Sequence, residues 1–137
     1  MKLLNKKIPA LTLTELLVVM VIIGILVLLA LPNLMPTVTK AKATEAKLQL
    51  EHVYRLQKAY HMEHSRYTTD LGEIGFEQEK LKDEDGNGSA NYRITVTEAS
   101  STSFLAEAES VVDFDGDGQL NKWAIDEEKN LKEVVKD

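Results

Sequence analysis

An apolar run from Leu16 to Leu31 constrains this chain more than any other feature. It contains no polar side chain, and with residues 11–15 added it is long enough to cross the roughly 30 Å hydrocarbon core of a membrane as a helix. Glu15 lies in its apolar end, where an unpaired carboxylate costs roughly 2.5 kcal/mol or more. A Glu near a helix end can also extend to the membrane surface. The run predicts a membrane helix whose acid has a function beyond anchoring.

The residues before this run indicate its orientation. Lys2, Lys6 and Lys7 precede it with no acid among them, so the positive-inside bias places the amino terminus in the cytoplasm and everything after Pro32 outside. A cleaved secretory signal peptide fits poorly, because the run exceeds the usual apolar length and is not followed by a small-x-small cleavage site. An uncleaved signal anchor remains an alternative.

A basic leader, a small residue, the segment L-T-L-T-E-L and an apolar helix follow one another here. This order resembles the class III prepilin-type signal of type IV pilins and type II secretion pseudopilins. The resemblance implies that a prepilin peptidase cuts between Ala10 and Leu11 and that the new terminus is N-methylated. It also implies that Glu15 serves assembly and that Gly24 and Pro32 loosen the helix. The family usually has Gly before the cut, where this chain has Ala10.

The same resemblance implies a structural role for the chain. The leader 1–10 is removed, residues 11–36 form a transmembrane and then filament-core helix, and residues 37–137 form an exported head. The chain polymerises with itself and with other pilin-like subunits on an inner-membrane assembly platform. It crosses the inner membrane once and then joins a periplasmic or extracellular filament. A pilin is favoured over a major pseudopilin because the D-P-W-G segment typical of the latter is absent after the helix.

Glu15 has a physical role in this scheme. A cut before Leu11 frees an amine, which each subunit brings to the depth of a neighbour's Glu15. Pairing of the two charges offsets the desolvation that each would suffer alone. We expect Glu15 to fix the register between subunits.

Composition excludes other functions. Residues 33–137 contain 13 basic and 21 acidic residues, a net charge of −8, and this charge argues against nucleic acid as a partner. The chain has no cysteine, so no disulfide braces the head. Its serines lack the spaced His and acid of a catalytic triad, and we expect no enzyme.

After Pro36 the apolar residues recur at three- and four-residue steps up to about His64, which predicts the amphipathic second half of one long helix. The stripe consists of Ala43, Ala46, Leu50, Val53, Leu56, Ala59 and Tyr60. Pro32 and Pro36 predict a kink or a loosened turn. His61 and His64 are one turn apart, but they are too few for a convincing metal site and favour a solvated helix end.

The second half of the head alternates in the manner of strands. Residues 92–97, 104–109 and 123–125 predict an antiparallel meander, and residues 131–135 a fourth, edge strand. Between helix and sheet we expect a loop with a helical turn at Asp70–Ile74. The fold class is therefore α+β, a long amino-terminal helix packed on a small antiparallel sheet of three to four strands.

Two acidic loops resemble calcium-binding loops in part. Asp113, Asp115 and Asp117 alternate before Gly118, as in the first half of an EF-hand loop, but the twelfth position is Ala124 and strands flank the loop. Calcium is the favoured ion for oxygen ligands, and a polar β-turn is the alternative. The predicted ligands are Asp113, Asp115, Asp117, Gln119, Asn121 and Asp126. The stretch from Asp83 to Gly88 repeats the pattern weakly and favours a solvated loop. A second class of function follows from these loops, namely a membrane-anchored calcium-binding module that never polymerises.

Overall fold

The computed structural model describes residues 10–82 and 87–137, except for the side chains of residues 33–35. Residues 1–9 of the leader and residues 83–86 of the weaker acidic loop lie outside the described part. The chain divides into two compact units, one ending at Pro36 and the other spanning Thr37–Asp137. The elements are α1 Leu13–His64, β1 Tyr92–Ala99, β2 Phe104–Ser110, β3 Lys122–Asp126 and β4 Leu131–Val135.

The first unit is the apolar part of α1. Its segment Leu13–Pro32 is 20 residues long with a mean hydropathy of 2.9, which makes it long and apolar enough to cross a membrane. None of this segment is buried within the protein. A large exposed apolar surface of this kind marks a site of contact with a membrane or with another protein. The helix is assigned without a break through Pro32 and Pro36.

In the second unit, α1 contributes one face to the core. Ala46, Leu50 and Val53 are fully buried, as the helical spacing predicts. Ala59 is an exception, because it is exposed and the buried position on that turn belongs to Gln57. The Gln57 amide donates to the Thr68 carbonyl at 2.6 Å and accepts from the Thr68 amide at 3.2 Å. A polar side chain is tolerated there because both of its ends are satisfied.

The sheet is an antiparallel meander in the order β1-β2-β3-β4. One face carries the predicted alternate residues Tyr92, Ile94 and Val96 of β1, and it packs on α1 in a single cluster. Ala106 and Ala108 lie at the centre of that face and are completely buried. They belong to the same buried cluster as Ala46, Leu50 and Val53 of α1. The predicted α+β fold is confirmed, and residues 131–135 form its fourth strand.

The connection between helix and sheet differs in one detail from the prediction. Tyr67 and Phe76 are buried as expected, but residues 71–75 form a hydrogen-bonded turn instead of a helical turn. Gly75 ends it in the left-handed region with φ of 74°, and the Phe76 amide donates to the Leu71 carbonyl. The two histidines bond to backbone carbonyls, His61 to Ser101 and His64 to Tyr60.

Candidate functional sites

The predicted cleavage position lies outside the helix. Ala10, Leu11 and Thr12 precede the first helical residue, Leu13, and all three are exposed. The residues on both sides of the bond between Ala10 and Leu11 are therefore exposed and not helical.

The helix start is closed by a reciprocal pair of hydrogen bonds. The Thr12 amide donates to Glu15 Oε2 at 2.7 Å, and the Glu15 amide donates to Thr12 Oγ1 at 3.2 Å. This arrangement is a capping box, which satisfies two backbone donors that the first turn leaves without partners. Glu15 therefore has a partner within its own chain, which the sequence analysis did not anticipate. The T-x-x-E spacing was the signal that could have revealed it.

Gly24 and Pro32 lie inside α1. A Cβ atom added to Gly24 would meet nothing within 4 Å, so no contact among the described residues requires glycine at that place. Their proposed part in loosening the helix stays a prediction.

The aspartate loop, residues 113–118, connects β2 to β3 and is organised by its first acid. Asp113 accepts from the Gly116 amide at 2.6 Å through Oδ1 and from the Gly118 amide at 2.8 Å through Oδ2. Both glycines have positive φ, 83° and 88°, which a side chain would disfavour. The amides of Gly118 and Gly116 lower the pKa of Asp113, because they stabilise its ionised form. The carboxylate stays charged well into acid.

The carboxylates of the other acids in the loop lie close to that of Asp113. Asp115 accepts from the Asp117 amide at 3.0 Å, and Asp117 accepts from the Gln119 amide at 2.7 Å. One carboxylate oxygen from each of Asp113, Asp115, Asp117 and Asp137 lies within 4.8 Å of the others. Such a group of oxygens is the donor set that a hard divalent cation prefers.

Asp137 was missed by the sequence analysis. Its carboxylate accepts from the Phe114 amide at 2.9 Å and from the Asp115 amide at 3.2 Å. It reaches the loop because β4 runs antiparallel to β3, with Val135 opposite Lys122, so that the residues after β4 return beside the loop. The sequence offered only one more acid in an acid-rich stretch, and the strand register was needed to place it.

Two predicted ligands are placed elsewhere, and the predicted set is corrected accordingly. Asn121 is completely buried, and its amide is fully engaged with Tyr92, Trp123, Glu133 and Val135. Asp126 lies at the opposite end of β3, where its carboxylate accepts from Glu128 and Asn130 in the next turn. A five-residue strand separates it from the loop. Gln119 follows the loop directly and is exposed.

Phe114 connects the aspartate loop to the rest of the head. Its ring meets Tyr92 edge-on at 5.9 Å between centroids, and the Lys42 ammonium lies 4.2 Å from the ring centre. Tyr92 belongs to β1 and Lys42 to α1. The Phe114 ring therefore links the aspartate loop to the first strand and to the helix.

Two comparisons with known proteins each match part of the chain. Residues 6–31 match the family described as the prokaryotic N-terminal methylation motif. Over 69 residues the chain is 42% identical to the type IV major pilin protein PilA of Myxococcus xanthus strain DK1622. This match covers 50% of the present chain and 31% of the Myxococcus protein, so it spans about a third of that relative. The resemblance to the type IV pilin family is confirmed.

Proposed function

We propose that this relative of the type IV pilins is a structural subunit of a pilus, anchored in a membrane by α1 and then polymerised through it. The observation that carries the proposal is the exposed apolar segment Leu13–Pro32. Lipid surrounds such a helix before assembly, and neighbouring helices of other subunits surround it in a filament. A type II secretion pseudopilus is the nearest alternative. The name of the Myxococcus relative, a major pilin, favours the pilus.

Processing belongs to the same proposal. A prepilin peptidase removes residues 1–10, and the amine of Leu11 is methylated. The matched methylation motif and the exposed, non-helical bond after Ala10 support this step. The subunit is then extracted from the inner membrane by an assembly platform, and its head, residues 37–137, faces the periplasm or the outside of the cell.

The mass of the mature amino terminus tests this function. Protein isolated from its own cells is expected to begin at N-methylated Leu11 and to be recovered in sheared filaments. A chain that keeps residues 1–10 and remains in the membrane fraction would contradict the proposal and favour a permanent membrane anchor.

We also propose that the aspartate loop binds calcium and braces the cysteine-free head. The side chains of Asp113, Asp115, Asp117 and Asp137 bring four formal negative charges into one small volume. Repulsion among them opposes closure of the loop, and a divalent cation offsets it. Magnesium should substitute poorly, since it holds its waters and a tighter octahedral shell.

Melting curves of the fragment 37–137 test the calcium proposal. Calcium at a hundredfold excess over Kd is expected to stabilise the folded state by about 2.7 kcal/mol relative to chelator, with little effect of magnesium. Asp137→Asn should reduce this gain, whereas Asp126→Asn, outside the cluster, should keep it. Coincident curves with calcium, magnesium and chelator would leave the loop as a polar turn. Calcium stabilisation in a chain that keeps its leader would instead support the non-polymerising, membrane-anchored calcium module.

A further inference from the structure

One asparagine of the chain is directly followed by glycine, and it lies on the surface of the head. Asn87 is exposed in a turn, and Gly88 comes next in the chain. The side-chain amide of an asparagine contains a carbonyl carbon that the backbone nitrogen of the next residue can attack. Glycine has no side chain to hinder that approach. Asn87 therefore has the neighbour with which an asparagine reacts most readily.

Packing requires the glycine at this place. A Cβ atom added to Gly88 would overlap the backbone of Leu81 and the carbonyl oxygen of Lys80. The amides of Ser89 and Ala90 hold the two segments together, since both donate to that Lys80 carbonyl at 3.1 Å. A larger residue in place of Gly88 would force these segments apart. The reactive pair of residues is thus a consequence of the fold.

The attacking nitrogen is available in the structure. Within the described residues, no acceptor is bonded to the Gly88 amide, and the chain after Asn87 is first fixed by the hydrogen bond of Ser89. An amide nitrogen must lose its proton before it attacks, and a hydrogen bond to an acceptor opposes that loss. The exposed side chain of Asn87 can therefore turn toward a nitrogen that no described residue restrains.

The aspartate loop contains two similar pairs, but both are restrained. An aspartate followed by glycine can form the same cyclic imide with loss of water, and it then isomerises. The glycine nitrogens after Asp115 and Asp117 both donate to the Asp113 carboxylate, at 2.6 and 2.8 Å. A hydrogen bond to a charged acceptor is stronger than a neutral one, so it opposes loss of the proton more firmly. A carboxylate is also a weaker target for a nucleophile than an amide.

Two buried asparagines are restrained through their side chains. Asn91 is only 8% exposed, and its Nδ2 donates to Glu45 Oε2 at 2.6 Å. Asn121 is completely buried, and both ends of its amide are hydrogen-bonded. Neither side chain can turn onto the nitrogen of the next residue without breaking these bonds. The next residues, Tyr92 and Lys122, also hinder the approach with their own side chains.

We propose that Asn87 deamidates spontaneously in the folded protein and that the fold keeps the aspartate loop from the analogous isomerisation. The Gly88 nitrogen loses its proton and bonds to Asn87 Cγ, while the bond from Cγ to Nδ2 breaks and ammonia leaves with that proton. Water then opens the cyclic imide at either carbonyl and yields aspartate or isoaspartate. Each event adds one carboxylate, so residues 33–137 come to contain 22 acids instead of 21. The reaction needs no enzyme and does not depend on filament assembly.

Ageing of the full chain in water enriched in a heavy oxygen isotope tests the proposal. The protein is kept in detergent at neutral pH, and a parallel sample is unfolded in guanidinium chloride. Trypsin, which cuts after Lys and Arg, is then added in ordinary water. It separates the peptide 83–93, with Asn87 and Asn91, from the peptide 94–122, with both aspartyl-glycine pairs. Heavy oxygen marks each place where an imide opened during ageing.

Ageing continues until the peptide 94–122 is labelled in the unfolded sample. In the folded sample, the label and the mass change from amide to acid should by then have accumulated at Asn87. Asn91 and the peptide 94–122 should stay unlabelled there. The variant Asn87→Gln is the control, and it should lose the label from 83–93 in both samples, because glutamine would have to close a larger ring.

Two results would overturn the proposal. One is the absence of label at Asn87 in the folded sample, which would show that the turn restrains this pair as well. The other is equal labelling of the peptide 94–122 in the folded and unfolded samples, which would show that the hydrogen bonds to Asp113 give no protection.

Discussion

At the scale of single residues, Asn121 holds the carboxyl-terminal half of the head together. Its Oδ1 accepts from the Tyr92 hydroxyl at 2.7 Å and from Trp123 Nε1 at 2.8 Å. Its Nδ2 donates to Glu133 Oε1 at 2.8 Å and to the Val135 carbonyl at 3.0 Å. Three strands, β1, β3 and β4, are joined through one amide. Burial, together with the charges of Glu45, Asp137 and Glu133, raises the pKa of Tyr92, so its hydroxyl remains a donor at neutral pH.

Asn121→Ala is expected to destabilise the fragment 37–137 by about 2–4 kcal/mol, because it leaves buried donors and acceptors without partners. Urea unfolding at neutral pH measures the change. Gln119→Ala, an exposed substitution two residues away, should change the stability by less than about 0.5 kcal/mol. Equal stabilities of the two variants would show that the amide is dispensable.

A second prediction at this scale concerns the size of the side chain at Ala10, directly before the predicted cut. A prepilin peptidase that normally meets Gly before the cut should accept only a very small side chain there. Ala10→Val is therefore expected to leave the leader attached, which mass measurement of the membrane-bound chain would show, and Ala10→Gly should be cut at least as well as the natural sequence. Efficient processing of Ala10→Val would place the cut elsewhere.

At the scale of elements, periodicity was enough to predict the helix and three strands, and it left open the fourth strand that the structure contains. Apolar residues at helical spacing marked the buried face of α1, and alternation marked the inward residues of β1 and β2. Contacts that depend on strand register could not be predicted from the sequence. Asp137 joins the aspartate loop only because β4 folds back along β3, and Asn121 was taken for a ligand because its spacing gave no sign of burial. Gln57 was missed since its polar side chain is satisfied by a loop 11 residues ahead.

The buried cluster that helix and sheet share leads to a prediction at the scale of elements. Ala106 is fully buried at the centre of β2, and added carbon atoms there force side chains from their rotamers or move the helix. Ala106→Val is expected to cost about 1–3 kcal/mol in the free energy of unfolding, despite the higher strand propensity of valine. Thr95→Val, on the exposed side of β1, is the control and should be nearly neutral. A neutral Ala106→Val would mean that the interface has room.

At the scale of the whole molecule, charge is divided unevenly within the head. The helical part, residues 37–64, has five basic and three acidic residues, whereas residues 65–137 have eight basic and eighteen acidic ones. Several helix lysines lie over aromatic rings of the other part, Lys42 over Phe114 and Lys47 over Trp123, the latter at 4.4 Å. The contacts between the two parts therefore include the attraction of lysine cations to aromatic rings.

Acid should weaken the head in a defined range. The pKa of Asp113 is lowered in the folded state, so the stability it contributes is present above its unfolded value of 3.8 and is lost as pH falls through the lower folded value. Urea unfolding of the fragment 37–137, measured in steps below pH 5, should show this loss. In Asp113→Asn the dependence on pH should be shallower, and an identical slope would assign the effect to other carboxylates.

The bond between Trp123 and Asn121 gives the protein a natural optical reporter. Trp123 is the one tryptophan of the chain, and its indole N–H is bonded to a buried amide beside the aspartate loop. A nearby cation and a fixed hydrogen bond both influence the emission wavelength and the quantum yield of an indole. Intrinsic emission therefore reports on the head at one known place, without a dye or an added label. It offers a way to follow the folding of the head and its response to ions, in a single cuvette and in real time.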